Sequence, residues 1–260
     1  MKRLERIEAI RHILEQRGMV SIDALASLFE KSTSSIRRDI ALCQRLPQFG
    51  DIQRVPGGLA LDRHEREPEF NKKMSLNRDL KFAIAKIAAR EVNDGDSILI
   101  DSGTTCFLFS TLLHRHRNLR IITTDITIAK ELASNTAFET TIVGGIVRPG
   151  YYSVGGSSAE YELAKLNPTK VFMSVDALDL EYGITNAAEF EVGIKRKLLS
   201  YGTSVYLLVD ATKIGQRALY WVAPLTTIKL LITNDILDPA MYDRLVHAGV
   251  NVELAPSKAK

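Results

Sequence analysis

The sequence predicts a two-domain protein in which a small helical unit ending in a β-hairpin precedes a larger α/β unit. Three observations lead to this fold class. Apolar residues recur at helical spacing over residues 4–46 and alternate as in short strands over residues 52–61. Residues 62–75 contain eight charged residues and a proline, a composition typical of a linker. From Leu76 onward, apolar strands alternate with amphipathic helices, which favours a largely parallel sheet covered by helices.

The helices of the first domain have recognisable boundary signals. The first helix ends before Gly18, and Ser21 provides an N-cap for the second. The third helix places Ile36 and Ile40 on one face, where they can pack against the other two helices. Two short strands joined by a Pro-Gly-Gly turn follow. Three helices and a hairpin within residues 1–61 are the layout of a winged helix-turn-helix domain.

In the second domain, hydrophobic periodicity predicts six strands and five helices. The strands are expected at residues 97–100, 120–122, 140–143, 171–175, 205–209 and 229–232. The helices are expected at about residues 78–92, 105–115, 126–134, 187–201 and 239–248. The predicted organisation is therefore a first domain, a linker and a second domain with the bounds 1–61, 62–75 and 76–260.

Composition narrows the classes of protein to which the chain can belong. Its 45% hydrophobic and 25% charged residues are ordinary for a globular protein. No apolar run approaches the roughly 18 residues of a membrane span, and the charged N-terminus lacks the apolar centre of a signal peptide. Cys43 and Cys106 lie far apart in the sequence, which argues against a disulfide framework. These features predict a cytoplasmic protein with no membrane partner.

The first domain carries all of the excess positive charge of the chain. Residues 1–61 contain ten Lys or Arg and seven Asp or Glu, and this difference equals the net charge of +3 of all 260 residues. A small basic module joined to a neutral body indicates a nucleic-acid contact at one end of the protein.

The third helix presents hydroxyl and guanidinium groups on the side opposite its apolar face. A recognition helix offers its N-terminal residues to the major groove, and the planar fork of arginine suits both guanine and phosphate. Alternatively, these arginines are simply solvated, with Asp39 as a local partner. Beside the wing turn, a further arginine could reach a phosphate. The predicted DNA-binding residues are Ser34, Ser35, Arg37, Arg38 and Arg54.

In the second domain, a strand that ends in Asp-Ser-Gly-Thr-Thr before a helix is the first candidate for a ligand site. Backbone N–H groups and the helix dipole at such a turn bind phosphate, whereas Asp101 is better suited to sugar hydroxyls. An ordinary capped turn is the alternative. Other polar residues follow neighbouring strands at the edge where open α/β sheets bind ligands. The predicted ligand-binding residues are Asp101, Ser102, Gly103, Thr104, Thr105, Thr124, Gly144, Asp176, Glu189, Lys195 and Lys213.

Both domains resemble those of the DeoR family of bacterial transcriptional regulators. In the first domain, the resemblance rests on Ser-Ile-Arg-Arg-Asp-Ile at 35–40 and on Arg-Val-Pro-Gly-Gly at 54–58. The family pattern has threonine at position 35 and often histidine at position 56. In the second domain, the resemblance rests on the order of the motifs at 101–105, 124–125, 144–145, 175–176, 183–185, 189 with 195, and 210–213. Asp125 and Ala177 depart from the asparagine and glycine that are usual there.

The resemblance implies a Rossmann-like effector domain similar in fold to ribose-5-phosphate isomerase. It further implies a repressor of a carbohydrate-utilisation operon that binds double-stranded operator DNA and senses a phosphorylated sugar, without a catalytic residue, cofactor or metal. A single small module binds DNA weakly, so a homo-dimer or homo-tetramer is expected. The alternative is a sugar-phosphate isomerase-like enzyme with Asp101 or Glu189 as its base. A nucleotide-binding domain is disfavoured, because no Gly-x-Gly-x-x-Gly follows its first strand.

Overall fold

The computed structural model describes the chain except at a few short segments, and it divides the chain into two compact units. These units are residues 1–68 and 69–260. In the described part of the chain, no helix combines the length and the apolar character that a membrane crossing requires. The described residues are 3–17, 19–43, 52–55, 58–61, 69–135, 137–225 and 228–257.

The first unit has the predicted winged helix-turn-helix fold. Its described residues form the helices α1 (Arg3–Arg17), α2 (Ile22–Leu28) and α3 (Thr33–Cys43). They also form the strands β1 (Met19–Val20), β2 (Ile52–Val55) and β3 (Gly58–Leu61), which make an antiparallel sheet in the order β1-β3-β2. Strand β1 was not predicted, because two residues are too few to show an alternating pattern. The predicted turn at residues 56 and 57 lies outside the described residues.

The core of the first unit fixes the orientation of α3. Ile36 and Ile40 are fully buried against Ile7, Ile10 and further apolar side chains of α1, α2 and the sheet. The apolar face predicted for this helix is therefore its inner face. The hydroxyl and guanidinium groups that alternate with these isoleucines are directed away from the core.

The second unit is built on a seven-stranded sheet in which every strand pair is parallel. Its strands are β4 (Ser97–Ile100), β5 (Leu119–Thr123), β6 (Phe138–Ile142), β9 (Lys170–Met173), β12 (Val205–Leu208), β14 (Leu230–Asn234) and β15 (Val252–Ala255). They lie in the order β15-β14-β12-β9-β4-β5-β6. All six predicted strands are members of this sheet.

In the described part of the second unit, five further strands stand outside the large sheet. Strands β7 (Ile146–Val147) and β8 (Val154–Gly155) pair with each other. Strands β10 (Ala177–Asp179), β11 (Gly183–Asn186) and β13 (Tyr220–Ala223) form a second antiparallel sheet. Gly183 adopts a φ of +90°, and a Cβ there would lie 2.4 Å from the carbonyl oxygen of Ala223. The close approach of β11 to β13 therefore requires a glycine at this position.

Among the residues described between 69 and 257, seven α-helices accompany the sheets. They are α4 (Phe70–Ser75), α5 (Arg78–Arg90), α6 (Thr104–Ser110), α7 (Ile126–Ala133), α8 (Ser157–Ala164), α9 (Val192–Leu199) and α10 (Pro239–His247). Two predicted helices are shorter than expected, because 3-10 turns take up Leu113–Arg115 and Glu189–Glu191. Helix α4 falls inside the segment predicted as a linker, so that segment ends earlier than residue 75.

The inner strands β4, β9 and β12 of the large sheet are buried on both faces, which explains why they read as nearly continuous apolar runs. Ile98 and Ile100 of β4 pack into one hydrophobic cluster, whereas Leu99 packs into the other. The chain runs from β4 to β5 and β6 on one side, and it reaches β9 and the remaining strands on the other side. This reversal makes the carboxyl ends of β4 and β9 a topological switch point, where open α/β sheets bind their ligands.

Candidate functional site

Two predicted DNA-binding arginines lie on the outer face of α3. Arg37 and Arg38 are exposed, and so is Ser34, whereas Ser35 is half-buried. Ser32 caps the helix, because its Oγ accepts a hydrogen bond from the backbone N of Ser35 at 3.2 Å. The outer face therefore offers two guanidinium groups and a hydroxyl within about one and a half helical turns.

Asp39 pairs with two arginines of α1, whereas the alternative interpretation expected it to pair with Arg37 and Arg38 of its own helix. Its carboxylate is buried on the inner side of α3 and accepts hydrogen bonds from Arg3 Nε at 2.8 Å and Arg6 Nε at 2.7 Å. Arg3 also donates from a terminal nitrogen to the carbonyl of Arg38 at 2.6 Å. These bonds fasten the recognition helix to α1, and they leave the guanidinium groups of Arg37 and Arg38 on the outside.

The fifth predicted DNA-binding residue lies on the wing. The backbone of Arg54 belongs to β2 and is paired with Leu59 of β3. Its side chain and the turn at residues 56 and 57 lie outside the described residues. The predicted phosphate contact from the wing stays a prediction.

In the second unit, two predicted ligand-binding residues are bonded to each other. Lys195 Nζ lies 2.5 Å from Asp101 Oδ2 and donates to the carbonyl of Ser174 at 2.7 Å. Asp101 is fully buried and Lys195 is 3% exposed. Burial raises the pKa of Asp101, and Lys195 opposes that rise. Burial alone would lower the pKa of Lys195, but Asp101 and Glu191 raise it above its usual range.

The Asp-Ser-Gly-Thr-Thr turn between β4 and α6 is tightly packed. Gly103 adopts a φ of +114°, and a Cβ there would approach Ser174 Oγ to 2.9 Å. The backbone N of Gly103 donates to Asp125 Oδ2 at 3.3 Å. The hydroxyl residues of the turn are buried, and they are Ser102, Thr104 and Thr105. The turn therefore lies against the end of β9 and against the loop that follows β5.

Asp125, which stands where the family has asparagine, caps helix α7. Its Oδ1 accepts hydrogen bonds from the backbone N of Thr127 at 2.7 Å and of Ile128 at 3.1 Å. Burial raises the pKa of Asp125, and the hydrogen bonds from Thr127, Ile128 and Gly103 oppose that rise. Both side-chain oxygens are thus used inside the protein, one by the helix and one by the glycine of the turn.

Four buried oxygen atoms near the carboxyl ends of strands have no hydrogen-bond partner among the described residues. They are Asp101 Oδ1, Thr124 Oγ1, Asn186 Oδ1 and Thr233 Oγ1. Asp101 and Thr124 are neighbours, since they follow adjacent strands and the backbone N of Thr124 donates to the carbonyl of Ile100 at 3.4 Å. Unsatisfied buried acceptors are rare in native proteins, and a ligand that brings hydroxyl donors would satisfy them.

Asp176 follows β9 and lies next to two lysines. Lys73 Nζ of α4 is 2.6 Å from its Oδ1, and the backbone N of Ala187 donates to its Oδ2 at 2.9 Å. Lys213 Nζ donates to the carbonyl of Val175 at 2.9 Å. Burial by itself would raise the pKa of Asp176, but Lys73 and Lys213 together hold it well below its usual range.

Two of the lysines in this region were missed by sequence reasoning. Lys73 lies in the charged segment that was read as a linker. Lys81 is 4% exposed, and its Nζ donates to the backbone carbonyl of Lys73. The buried position of Lys81 could have been predicted, because on α5 it lies three and four residues before Ile84 and Ala85 of the buried face. A lysine on the buried face of a helix requires a hydrogen-bond acceptor or a negative charge beside its ammonium group.

Glu191, and not the predicted Glu189, belongs to this cluster. Glu189 is exposed. The carboxylate of Glu191 accepts hydrogen bonds from Arg148 at 3.1 Å, from Ser153 Oγ at 2.9 Å and from the side-chain amide of Asn186 at 3.2 Å. Glu191 precedes Lys195 by four residues and therefore lies on the same helical face, whereas Glu189 precedes it by six residues and does not.

Gly144, the remaining predicted ligand-binding residue, is exposed in the loop after β6. Its neighbour Gly145 has a clear packing role. A Cβ at position 145 would lie 2.6 Å from the carbonyl oxygen of Gly155, so the glycine allows the approach of the β8 segment.

A winged helix-turn-helix with an exposed arginine pair, followed by an α/β unit with a cluster of charged residues at the carboxyl ends of its strands, defines a transcriptional regulator with an attached sensing domain. Two family models match the chain. The DeoR-like helix-turn-helix domain matches residues 6–65, and the DeoR C terminal sensor domain matches residues 76–235. The chain therefore belongs to the DeoR family of DNA-binding transcriptional regulators, and the predicted resemblance is confirmed.

Curated relatives align along nearly the whole chain. The putative sgc region transcriptional regulator of Escherichia coli (strain K12) is 34% identical over 98% of each protein. The HTH-type transcriptional regulator IolR of Bacillus subtilis (strain 168) is 30% identical over 97% of this chain and 100% of its own. The putative aga operon transcriptional repressor of Escherichia coli O157:H7 is 29% identical over 96% of this chain and 93% of its own.

Solved structures similar to this chain include an isomerase and a translation factor. Ribose 5-phosphate isomerase A from Methanocaldococcus jannaschii has a TM-score of 0.37 and 17% identity, with 53% of this chain and 55% of that chain covered. The translation initiation factor eIF-2B from Pyrococcus horikoshii OT3 has a TM-score of 0.40 and 16% identity, with 55% and 50% covered.

Proposed function

We propose that the protein is a cytoplasmic repressor of a carbohydrate-utilisation operon, and that a phosphorylated sugar controls its affinity for operator DNA. The observation that carries this proposal is the chemistry of the crevice at the switch point. Buried oxygen acceptors that have no partner among the described residues lie there, and the lysine ammonium groups of Lys195, Lys73 and Lys213 lie at the same strand ends. Sugar hydroxyl groups supply donors for such oxygens, and a phosphate group supplies negative charge for the lysines.

Control of DNA binding requires the ligand to distinguish two arrangements of the regulator. A ligand that prefers one arrangement tenfold contributes about 1.4 kcal/mol of coupling per site. In a homo-dimer or homo-tetramer, which we propose as the DNA-binding form, several such sites act on the same equilibrium. Equilibrium sedimentation of the free protein and of its complex with DNA will give the number of subunits.

The effector class is tested with a panel of pentose and hexose phosphates beside the same sugars without phosphate. We expect at least one sugar phosphate to raise the melting temperature and to change operator affinity, because only the phosphorylated form provides both kinds of contact. Thermal shift and fluorescence anisotropy with an operator duplex selected by the protein itself are the measurements. Stabilisation by an unphosphorylated sugar alone would contradict a phosphate requirement.

Arg37→Ala is expected to weaken operator binding by about 1–3 kcal/mol, because the exposed guanidinium group is placed to contact a base edge or a phosphate. A matched control is Arg90→Ala, which removes an exposed arginine at the end of α5. Operator affinity is measured at several salt concentrations. Loss of a base contact relaxes sequence preference at one position, whereas loss of a phosphate contact weakens binding equally to all sequences and reduces its salt dependence. Equal affinities of the two variants would remove Arg37 from the interface.

A further inference from the structure

The short helix α4 is held in place by residues of the sensor crevice. Phe70, its first residue, packs edge-on against Phe107 and Tyr152, with ring centroids 5.9 and 5.6 Å away. One turn later, Lys73 forms its ion pair with Asp176. A helix of six residues is unstable alone, so these contacts decide where α4 lies.

Three ammonium groups meet beside α4, and we call Lys73, Lys81 and Lys213 the lysine triad. Lys81 is bonded to the backbone of Lys73, and Lys213 is bonded to the backbone at Val175. Burial and repulsion by Lys213 and Lys73 lower the pKa of Lys81 to about 8, although the carboxylate of Asp210 acts in the opposite direction. An anion that enters this region relieves the repulsion among the three groups.

We propose that the lysine triad binds the anionic group of the effector, and that Lys73 thereby couples occupation of the crevice to the position of α4. The proposal deepens the proposed function and rests on it. A phosphate dianion competes with Asp176 for Lys73, because it has more charge and more acceptor oxygens than one carboxylate. When Lys73 turns from Asp176 to the ligand, α4 shifts with it.

The position of α4 in the chain gives this shift a route to the DNA-binding unit. Helix α4 is the first element of the second unit, and the boundary between the units lies directly before Glu69. The contacts of α4 described above are all made with the second unit. A ligand that alters these contacts therefore acts on the segment by which the DNA-binding unit is attached.

Inorganic phosphate is the probe for the anion site, tested on the full-length protein. Lys73→Met removes the ammonium group and keeps the apolar stem, Lys73→Arg keeps the charge, and Lys72→Met is the exposed control on the same helix. We expect phosphate to stabilise the parent and the control against heat. Its affinity should fall roughly tenfold in Lys73→Met, since a charge-assisted hydrogen bond is lost, and Lys73→Arg should recover most of it.

Two further readouts separate ligand coupling from a merely structural role. Hydrogen exchange of the amides at residues 70–75 should change with phosphate in the parent and stay unchanged in Lys73→Met. Phosphate binding should also take up protons near pH 8, because an anion raises the pKa of Lys81. Calorimetry in buffers of different ionisation enthalpy measures this uptake, which Lys81→Met should abolish.

Equal phosphate affinities of Lys73→Met and Lys72→Met would overturn the proposal, as would a lack of stabilisation of the parent by phosphate. Unchanged exchange in α4 on phosphate binding would remove the coupling role. Failure of the proposed function looks different. In that case phosphate binds at the triad, but no sugar phosphate of the panel changes operator affinity.

Discussion

Asp39→Ala is expected to destabilise the DNA-binding unit by about 3–5 kcal/mol and to abolish operator binding. The substitution removes the carboxylate that the guanidinium groups of Arg3 and Arg6 share, and Arg6 is itself buried. Removing one partner of a buried ion pair is strongly destabilising, by about this much, because the desolvation of the remaining charge loses its main compensation. A unit of this size has a total stability of the same order, so the recognition helix loses its support.

Urea unfolding followed by circular dichroism measures this effect, and anisotropy with the selected operator measures DNA binding. Asp23→Ala is the matched control, because Asp23 is an exposed aspartate in the first turn of α2. We expect that control to lose a few tenths of a kcal/mol. If the two alanine variants unfold at the same urea concentration, the Arg3–Asp39–Arg6 contacts do not support α3 as described.

Lys195→Met is expected to have the largest effect in the sensor domain, again about 3–5 kcal/mol of lost stability. The carboxylate of Asp101 is fully buried, one of its oxygens already lacks a partner among the described residues, and Lys195 is its counter-charge. Without the lysine, burial raises the pKa of Asp101 above its value in the unfolded chain. Stability is then gained as the pH falls and lost as it rises through the folded-state pKa.

The pH dependence and a double variant make this second prediction specific. The deficit of Lys195→Met relative to the parent should be smaller at about pH 5 than at about pH 8, because protonation of Asp101 relieves it. The double variant Asp101→Asn/Lys195→Met should recover most of the stability, because neither charge remains. Lys197→Met, on the same helix, serves as the control. A deficit that is equal at both pH values would contradict a buried unpaired carboxylate.

Much of the fold was predictable from local sequence patterns. Strand β4 was predicted with its observed bounds, since a run of apolar residues buried on both faces of a parallel sheet ends at a polar turn. Helix α4 was not predicted, because its six residues carry a charged pattern and only Phe70 is buried. Its first residue, Phe70, contacts Phe107 and Tyr152, which lie far away in the sequence, so a local sequence pattern cannot predict these contacts.

The sequence indicates where the candidate site lies, but it does not indicate which side chains of the site pair with each other. The rule that ligands bind beyond the carboxyl ends of strands located Asp101 and Asp176 at neighbouring strands. Their partners Lys195 and Lys73 are 94 and 103 residues away in sequence, and no local pattern could assign them. The prediction of Glu189 followed from the family resemblance, which pairs a glutamate with Lys195, whereas the structure places Glu191, four residues before Lys195, in the cluster.

The division of α3 into an anchored side and a free side has a consequence for how such regulators acquire new targets. Ile36, Asp39 and Ile40 hold the helix, whereas Arg37 and Arg38 project outward. Outward residues can be exchanged without disturbing the scaffold. If Arg37 and Arg38 contact the operator as proposed, gene duplication followed by changes on that side alone redirects a copy to another promoter, and a designer of genetic circuits can reprogram the protein by the same few codons.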